Sequence, residues 1–120
     1  MDWKFDAKQP IYSQLVEQMK IRIVTGLYPP GGKLPSVRDL AQEAGVNPNT
    51  MQRSLAALED SGLVYSQRTS GRFITEDTEM IQAERRHIAE EKIMDFVKEM
   101  KALGFSREEL LQLLEGYHYE

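Results

Sequence analysis

A chain of 120 residues, 41% hydrophobic and 28% charged, is long enough for one compact domain, or for a small domain with an appendage. The absence of cysteine excludes disulfides and thiolate metal sites, and no stretch approaches the roughly 18 continuous apolar residues of a membrane span. The net charge of −4 is unevenly placed: residues 1–76 carry nine Lys/Arg against eight Asp/Glu, a net +1, and residues 77–120 carry six against eleven, a net −5. Inside the first part, Ala44–Leu58 holds Arg53 and no acid, and Ser61–Thr75 holds Arg68 and Arg72 and no acid. A phosphate backbone responds to such local fields more than to the total charge. The opening Met1-Asp2-Trp3-Lys4-Phe5-Asp6 has no apolar signal core, so a cytoplasmic setting is expected.

Pro10 suits the first turn of a helix, where its missing N–H has no partner to lose. Ile11, Leu15, Val16, Met19, Ile23 and Leu27 then recur at three- and four-residue spacing and give one apolar face. Tyr28-Pro29-Pro30-Gly31-Gly32 stops this helix. A second, short helix follows Ser36, a good N-cap, with Val37, Leu40, Ala41 and Ala44 on its buried face and Gly45 at its end. A third begins at Asn47-Pro48 and buries Met51, Leu55 and Leu58. Leu63–Ser66 and Arg72–Thr75, around a polar turn with glycine, read as a β-hairpin. From about Asp77 a long amphipathic helix runs to Leu103, and Ser106-Arg107-Glu108-Glu109 is a capping box that opens a last helix. Trp3, Tyr12, Tyr28 and Phe73 are expected in the core and not against a base.

Helix, helix, tight turn, helix, hairpin is the order of a winged helix-turn-helix. Ala41-x-x-x-Gly45-Val46 has the spacing of the DNA-binding turn: a small residue where two helices approach, glycine for the turn, and an apolar anchor. The third helix then presents its N-terminal residues to a major groove, where Asn or Gln can pair with adenine and Arg with guanine. Asn47 reads first as the N-cap, with base contact as the alternative. Capping does not account for Asn49, Gln52 and Arg53, which read as ligand-facing. Arg38, in the first turn of a helix, sits unfavourably against the helix dipole unless a phosphate lies in front of it. Arg68 and Arg72 flank the hairpin tip and suit backbone or minor-groove contact.

The stretch from Pro10 to about Ile74 resembles the GntR family of bacterial regulators. The resemblance rests on Pro10-Ile11-Tyr12-x-Gln14-Leu15 and on Gly26-Leu27-Tyr28-Pro29-Pro30-Gly31-x-Lys33-Leu34-Pro35-Ser36-x-Arg38-x-Leu40-Ala41. It continues through Gly45-Val46-Asn47-x-x-Thr50 and Leu55-x-x-Leu58-x-x-x-Gly62-Leu63-Val64. The tail resembles the YtrA-type branch, in which two C-terminal helices dimerise. The resemblance implies DNA contacts at Arg38, Asn49, Thr50, Gln52, Arg53, Arg68, Thr69 and Gly71. Pro48 departs from the Ser or Arg common in relatives, and Thr69-Ser70-Gly71-Arg72 departs from the usual Gly-x-Gly-Thr wing.

The expected fold is therefore mainly α with a small β-hairpin: a winged helix-turn-helix over 1–76 and a two-helix dimerisation element over 77–120. The expected function is a repressor that binds an inverted-repeat operator as a homodimer. Its interface would be Ile88, Ile93, Phe96, Val97, Met100, Leu103, Leu110, Leu111 and Leu114, which a monomer would leave exposed. With no His/carboxylate pair at motif spacing, catalysis is not expected, and neither is a cofactor or a membrane partner. Two other readings stay open: a winged helix that docks a protein instead of DNA, and a small-molecule effector held between the tail helices.

Overall fold

The computed structural model describes residues 1–119. It contains α1 (Ile11–Val24), α2 (Val37–Ala44), α3 (Pro48–Ser61), β1 (Val64–Gln67), β2 (Gly71–Ile74), α4 (Thr78–Ala102) and α5 (Arg107–Glu115). The chain forms two compact units, one through Arg85 and one from Arg86, and the continuous helix α4 runs through the division.

In the first unit α1 and α2 both pack on α3, and α3 packs on β1. Leu15, Met19 and Ile23 meet Leu40, Met51, Leu55, Leu58, Leu63 and Ile74 in a core where each is 0–1% exposed. The core closes with Ile81 from the second turn of α4, beyond the expected end of the winged segment. The expected caps form: Ser36 accepts from the Asp39 N–H, and Asn47 accepts from the Asn49 N–H with Pro48 as the first helical residue. Gly45 ends α2 at φ 71°, a left-handed conformation that costs an L side chain energy. One expectation fails: α1 stops at Val24, before Thr25 and a left-handed Gly26, so Leu27 lies outside the helix and is half-exposed.

The polar stripe of α1 has a function that periodicity does not reveal. Gln14 and Gln18, one turn apart, each bind the backbone N–H and C=O of an arm residue, Asp6 and Lys4 respectively. One turn further, Arg22 is 2% exposed, lies 3.7 Å over the Trp3 ring and donates to the Met1 carbonyl. Trp3 Nε1 in turn donates to Glu43 at the end of α2. Burial and the charge of Glu43 raise the Tyr28 phenol above its ordinary pKa, with burial the larger cause and Arg22 opposing both.

The hairpin is antiparallel, with Val64 opposite Ile74, Tyr65 opposite Phe73, Ser66 opposite Arg72 and Gln67 opposite Gly71. The strands thus sit one residue nearer the tip than the sequence reading placed them. Gly71 makes this possible: it enters β2 at φ 106°. The segment before α2 lies along the outer edge of β2, with Gly31 N–H bonded to Ile74 C=O, Ile74 N–H to Gly32 C=O and Leu34 N–H to Arg72 C=O, all at 2.9 Å. The wing and the start of α2 are thereby tied together.

In the second unit, α4 and α5 meet across Gly104 and Phe105, and Ser106 and Glu109 form the expected reciprocal capping box. No described residue beyond Ile81 is buried. No helix among the described residues is long and apolar enough to cross a membrane.

Candidate nucleic-acid interface

The first unit carries two adjoining features that suit a duplex. One is a cleft of about 930 Å³ between the start of α2 and the wing, lined by Lys33, Ser36, Arg38, Thr69, Gly71 and Arg72 among others. The structure therefore brings three of the expected contact residues, Arg38, Thr69 and Gly71, to one concavity. Arg38 is exposed and makes no ion pair among the described residues. Lys33, not anticipated from sequence, adds a cation. Its Cε lies 3.3 Å from where a Cβ on Gly71 would stand, so a side chain at Gly71 would meet both a strained φ and this lysine.

The other feature is the N-terminal half of α3. Asn49, Gln52 and Arg53, at i, i+3 and i+4, share one exposed face. Thr50 is half-buried, and its carbonyl accepts from Ser54. Asn47 is the cap, as first read, and its side-chain oxygen is engaged by the Asn49 N–H at 2.7 Å. Arg53 does not hang free: its guanidinium lies 4.4 Å over the ring of Tyr12.

The four aromatic residues expected in the core divide. Trp3 and Tyr28 pack against it, half-buried. Tyr12 is half-buried under Arg53, and Phe73 is half-buried and stacks on Tyr65, its cross-strand partner, at 5.8 Å.

The two wing arginines also divide. Arg68, at the tip, is exposed and has no ion-pair partner among the described residues. Arg72 is half-buried, and its Nε donates to Glu59 Oε1 at 2.7 Å. The Ser66 hydroxyl donates to the same oxygen at 2.5 Å. The bond from Ser66 is the largest cause that holds the Glu59 carboxyl below its ordinary pKa; burial opposes it, and the bond and charge of Arg72 add to the lowering. Arg72, read from the sequence as suited to backbone or minor-groove contact, thus braces the wing against α3 within the protein.

In the second unit seven of the nine residues expected to pair two copies line one apolar groove of about 640 Å³. Ile93, Phe96, Val97, Met100, Leu110, Leu111 and Leu114 form it, with Lys101 and Arg107 among its other lining residues. Ile88 is half-buried, and neither it nor the exposed Leu103 lines the groove. On α4, His87 Nε2 lies 2.6 Å from Glu91, one turn on.

Comparison with known proteins agrees with this geometry. The family model for bacterial regulatory proteins of the gntR family matches residues 11–74. The HTH-type transcriptional regulator YhcF of Bacillus subtilis is 41% identical over 93% of this chain and 93% of its own length. The HTH-type transcriptional repressor YtrA of Bacillus subtilis is 33% identical over 78% of this chain and 85% of its own. Among solved structures, a GntR family transcriptional regulator from Listeria monocytogenes superposes with a TM-score of 0.87 at 38% identity, covering 95% of this chain and all of that one. The DNA-binding domain of AraR, in complex with its operator ORE1, gives a TM-score of 0.53 at 27% identity over 62% of this chain and 94% of that one. The chain belongs to the GntR family of bacterial regulatory proteins, in its YtrA-type branch, and is a DNA-binding transcription regulator.

Proposed function

We propose that the protein is a cytoplasmic repressor that binds an inverted-repeat operator as a homodimer. Residues 1–76 would read DNA and residues 77–120 would pair the copies. The observation that carries the DNA face is the convergence of Arg38, Thr69 and Gly71 on one cleft, lined also by Lys33, Arg72 and one acid, Asp39, beside the exposed stripe Asn49, Gln52, Arg53. In this reading Asn49, Gln52 and Arg53 meet base edges in the major groove, Thr50 and Arg38 meet phosphates at the groove's edge, and Arg68, Thr69 and Gly71 carry the wing against the backbone. The similarity to AraR, whose DNA-binding domain was crystallised on an operator, and to the repressor YtrA supports the partner and the sign of regulation.

The homodimer rests on the second unit. Its groove is open, apolar and lined by side chains that water would otherwise hydrate, and a second copy related by a two-fold axis covers both grooves at once. A dimer core accounts for these residues without an effector ligand. The test is selection of bound duplexes from a randomised pool by the full chain. The proposal expects an enriched inverted repeat with half-sites about 10 base pairs apart or a multiple of that. Enrichment of a single asymmetric site would remove the two-fold pairing, and no enrichment would leave protein docking as the function of the winged helix.

A further inference from the structure

Glu59 lies in the last turn of α3, outside the stripe that faces DNA in the proposed reading, yet both strands of the wing converge on it. Ser66 of β1 and Arg72 of β2 stand directly opposite each other in the hairpin register. Both donate to a single oxygen of its carboxylate, at 2.5 and 2.7 Å. The Arg72 carbonyl accepts from Leu34 N–H, on the segment that leads into α2 and Arg38. One residue of the recognition helix therefore grips both strands of the wing at one rung, and that rung grips the entry to α2.

A two-stranded hairpin of four rungs has little stability of its own and takes its orientation from what it is anchored to. Val64 and Ile74 anchor its base in the core. Beyond them Tyr65 and Phe73 stack only on each other, and Gln67 and Gly71 lead straight into the tip. The Ser66–Arg72 rung is the last place where the wing is bonded to a helix before Arg68, Thr69 and Ser70. Charge-assisted hydrogen bonds of this length are directional enough to fix the hairpin's angle.

We propose that Glu59 is the positioning residue of the wing: by binding Ser66 and Arg72 together it holds the tip at a fixed angle to the recognition helix, so that both reach one duplex without an ordering cost. The proposal rests on the reading that the wing contacts DNA. It assigns Arg72 to the protein and leaves Arg68 as the wing's cation for DNA.

The test uses the full-length protein and a duplex that it has selected from a randomised pool. Affinity is measured for wild type, Arg68→Ala, Glu59→Ala, Arg72→Met, and the pairs of Arg68→Ala with each of the other two. Thermal melting confirms folding. Glu59→Ala removes a negative charge near DNA and would by that alone tighten binding. The proposal expects it to weaken binding, by about fivefold for an anchor of this partly exposed kind. Arg72→Met should cost the same and leave the salt dependence unchanged. Each should cost much less when Arg68 is already alanine, because the wing then has less contact to lose. Unchanged or tighter binding by Glu59→Ala overturns the proposal. So does a salt slope reduced by about one in Arg72→Met, which marks a direct phosphate contact, and so do losses that simply multiply. If Arg68→Ala leaves affinity intact, the wing–DNA reading fails by itself. Amide exchange in the free protein then decides on the anchor: faster exchange across 66–73 in Glu59→Ala, with α1 still protected, supports it, and unchanged exchange overturns it.

Discussion

The two compact units are built from similar residues and end in opposite states. In the first, leucines on three helices close on one another: Leu15, Leu40 and Leu55 are each 0% exposed. In the second, Ile93 is 59% exposed, Leu103 71% and Leu114 50%, although α5 opens on a full capping box. The difference is geometric. Three helices and a hairpin surround a core from several sides, whereas two helices meeting at Gly104 can only form a trough. Capping specifies a helix and its ends, but burial needs a further layer, and the second unit does not contain one. A unit complete in itself is free to present a polar face to DNA. In the proposed reading, the unit that is incomplete is completed by a second copy of itself.

The comparison breaks most sharply under truncation of leucines. Leu55→Ala should cost about 2–5 kcal/mol of folding stability, independent of protein concentration, because the cavity lies inside one chain. Leu111→Ala should show its cost as a melting temperature that varies with concentration, since what it loses is made between copies. Denaturant and thermal melts at two concentrations distinguish these. Equal, concentration-independent losses would place Leu111 in a core of its own chain.

Next in size are the contacts to DNA. Arg53→Ala should weaken operator binding by about 1–3 kcal/mol where the contact is bidentate to guanine, and Arg38→Ala should weaken it through a lost phosphate contact, with melting unchanged in both. Salt titration sharpens the assignment: log affinity should fall linearly with log salt, and Arg38→Ala should reduce the slope by about one if the contact is to phosphate. Intact affinity in both variants would move the interface off this face. Changes in the second unit that keep the dimer, such as Lys92→Gln, should leave the slope unaltered.

Much of the first unit was legible because its boundaries are written in local chemistry. Ser36, Asn47-Pro48 and Gly45 each solve a problem that arises at one helix end, and each is readable within four residues of that end. What escaped reading lies where the solution comes from far along the chain. Gln14, Gln18 and Arg22 look like an ordinary wet face of a helix until the arm of residues 1–6 lies on them. The one available signal was an arginine placed between Met19 and Ile23, with a tryptophan upstream. Arg72 read only as suited to backbone or minor-groove contact because its partner Glu59 lies 13 residues earlier, on another element. Tyr12 read as core because periodicity counts its ring as apolar and has no way to show Arg53 above it. In the second unit the helices were legible, and their apolar faces are left open because no described residue of that unit covers them.

The smallest expected effect is a pH dependence. The Glu59 carboxyl is held below its ordinary pKa in the folded protein, so its contribution to stability is complete above the unfolded carboxylate range and is lost as pH falls through the folded value. The melting difference between wild type and Glu59→Gln should therefore be present at neutral pH and vanish in acid. It should stay below about 1 kcal/mol, because both partners are partly solvated. A difference that persists or grows in acid would assign the bond to something other than the ionised carboxylate.

The central claim, that the open second unit pairs two copies and so places two winged helices on one site, is tested most directly by sedimentation. The account predicts that wild type at micromolar concentration sediments as a dimer and binds its selected duplex with two copies. Leu111→Glu, which would carry a charge into the shared core, should sediment as a folded monomer. Wild type that is monomeric alone and binds as a single copy on the duplex, or a Leu111→Glu dimer as tight as wild type, would contradict it.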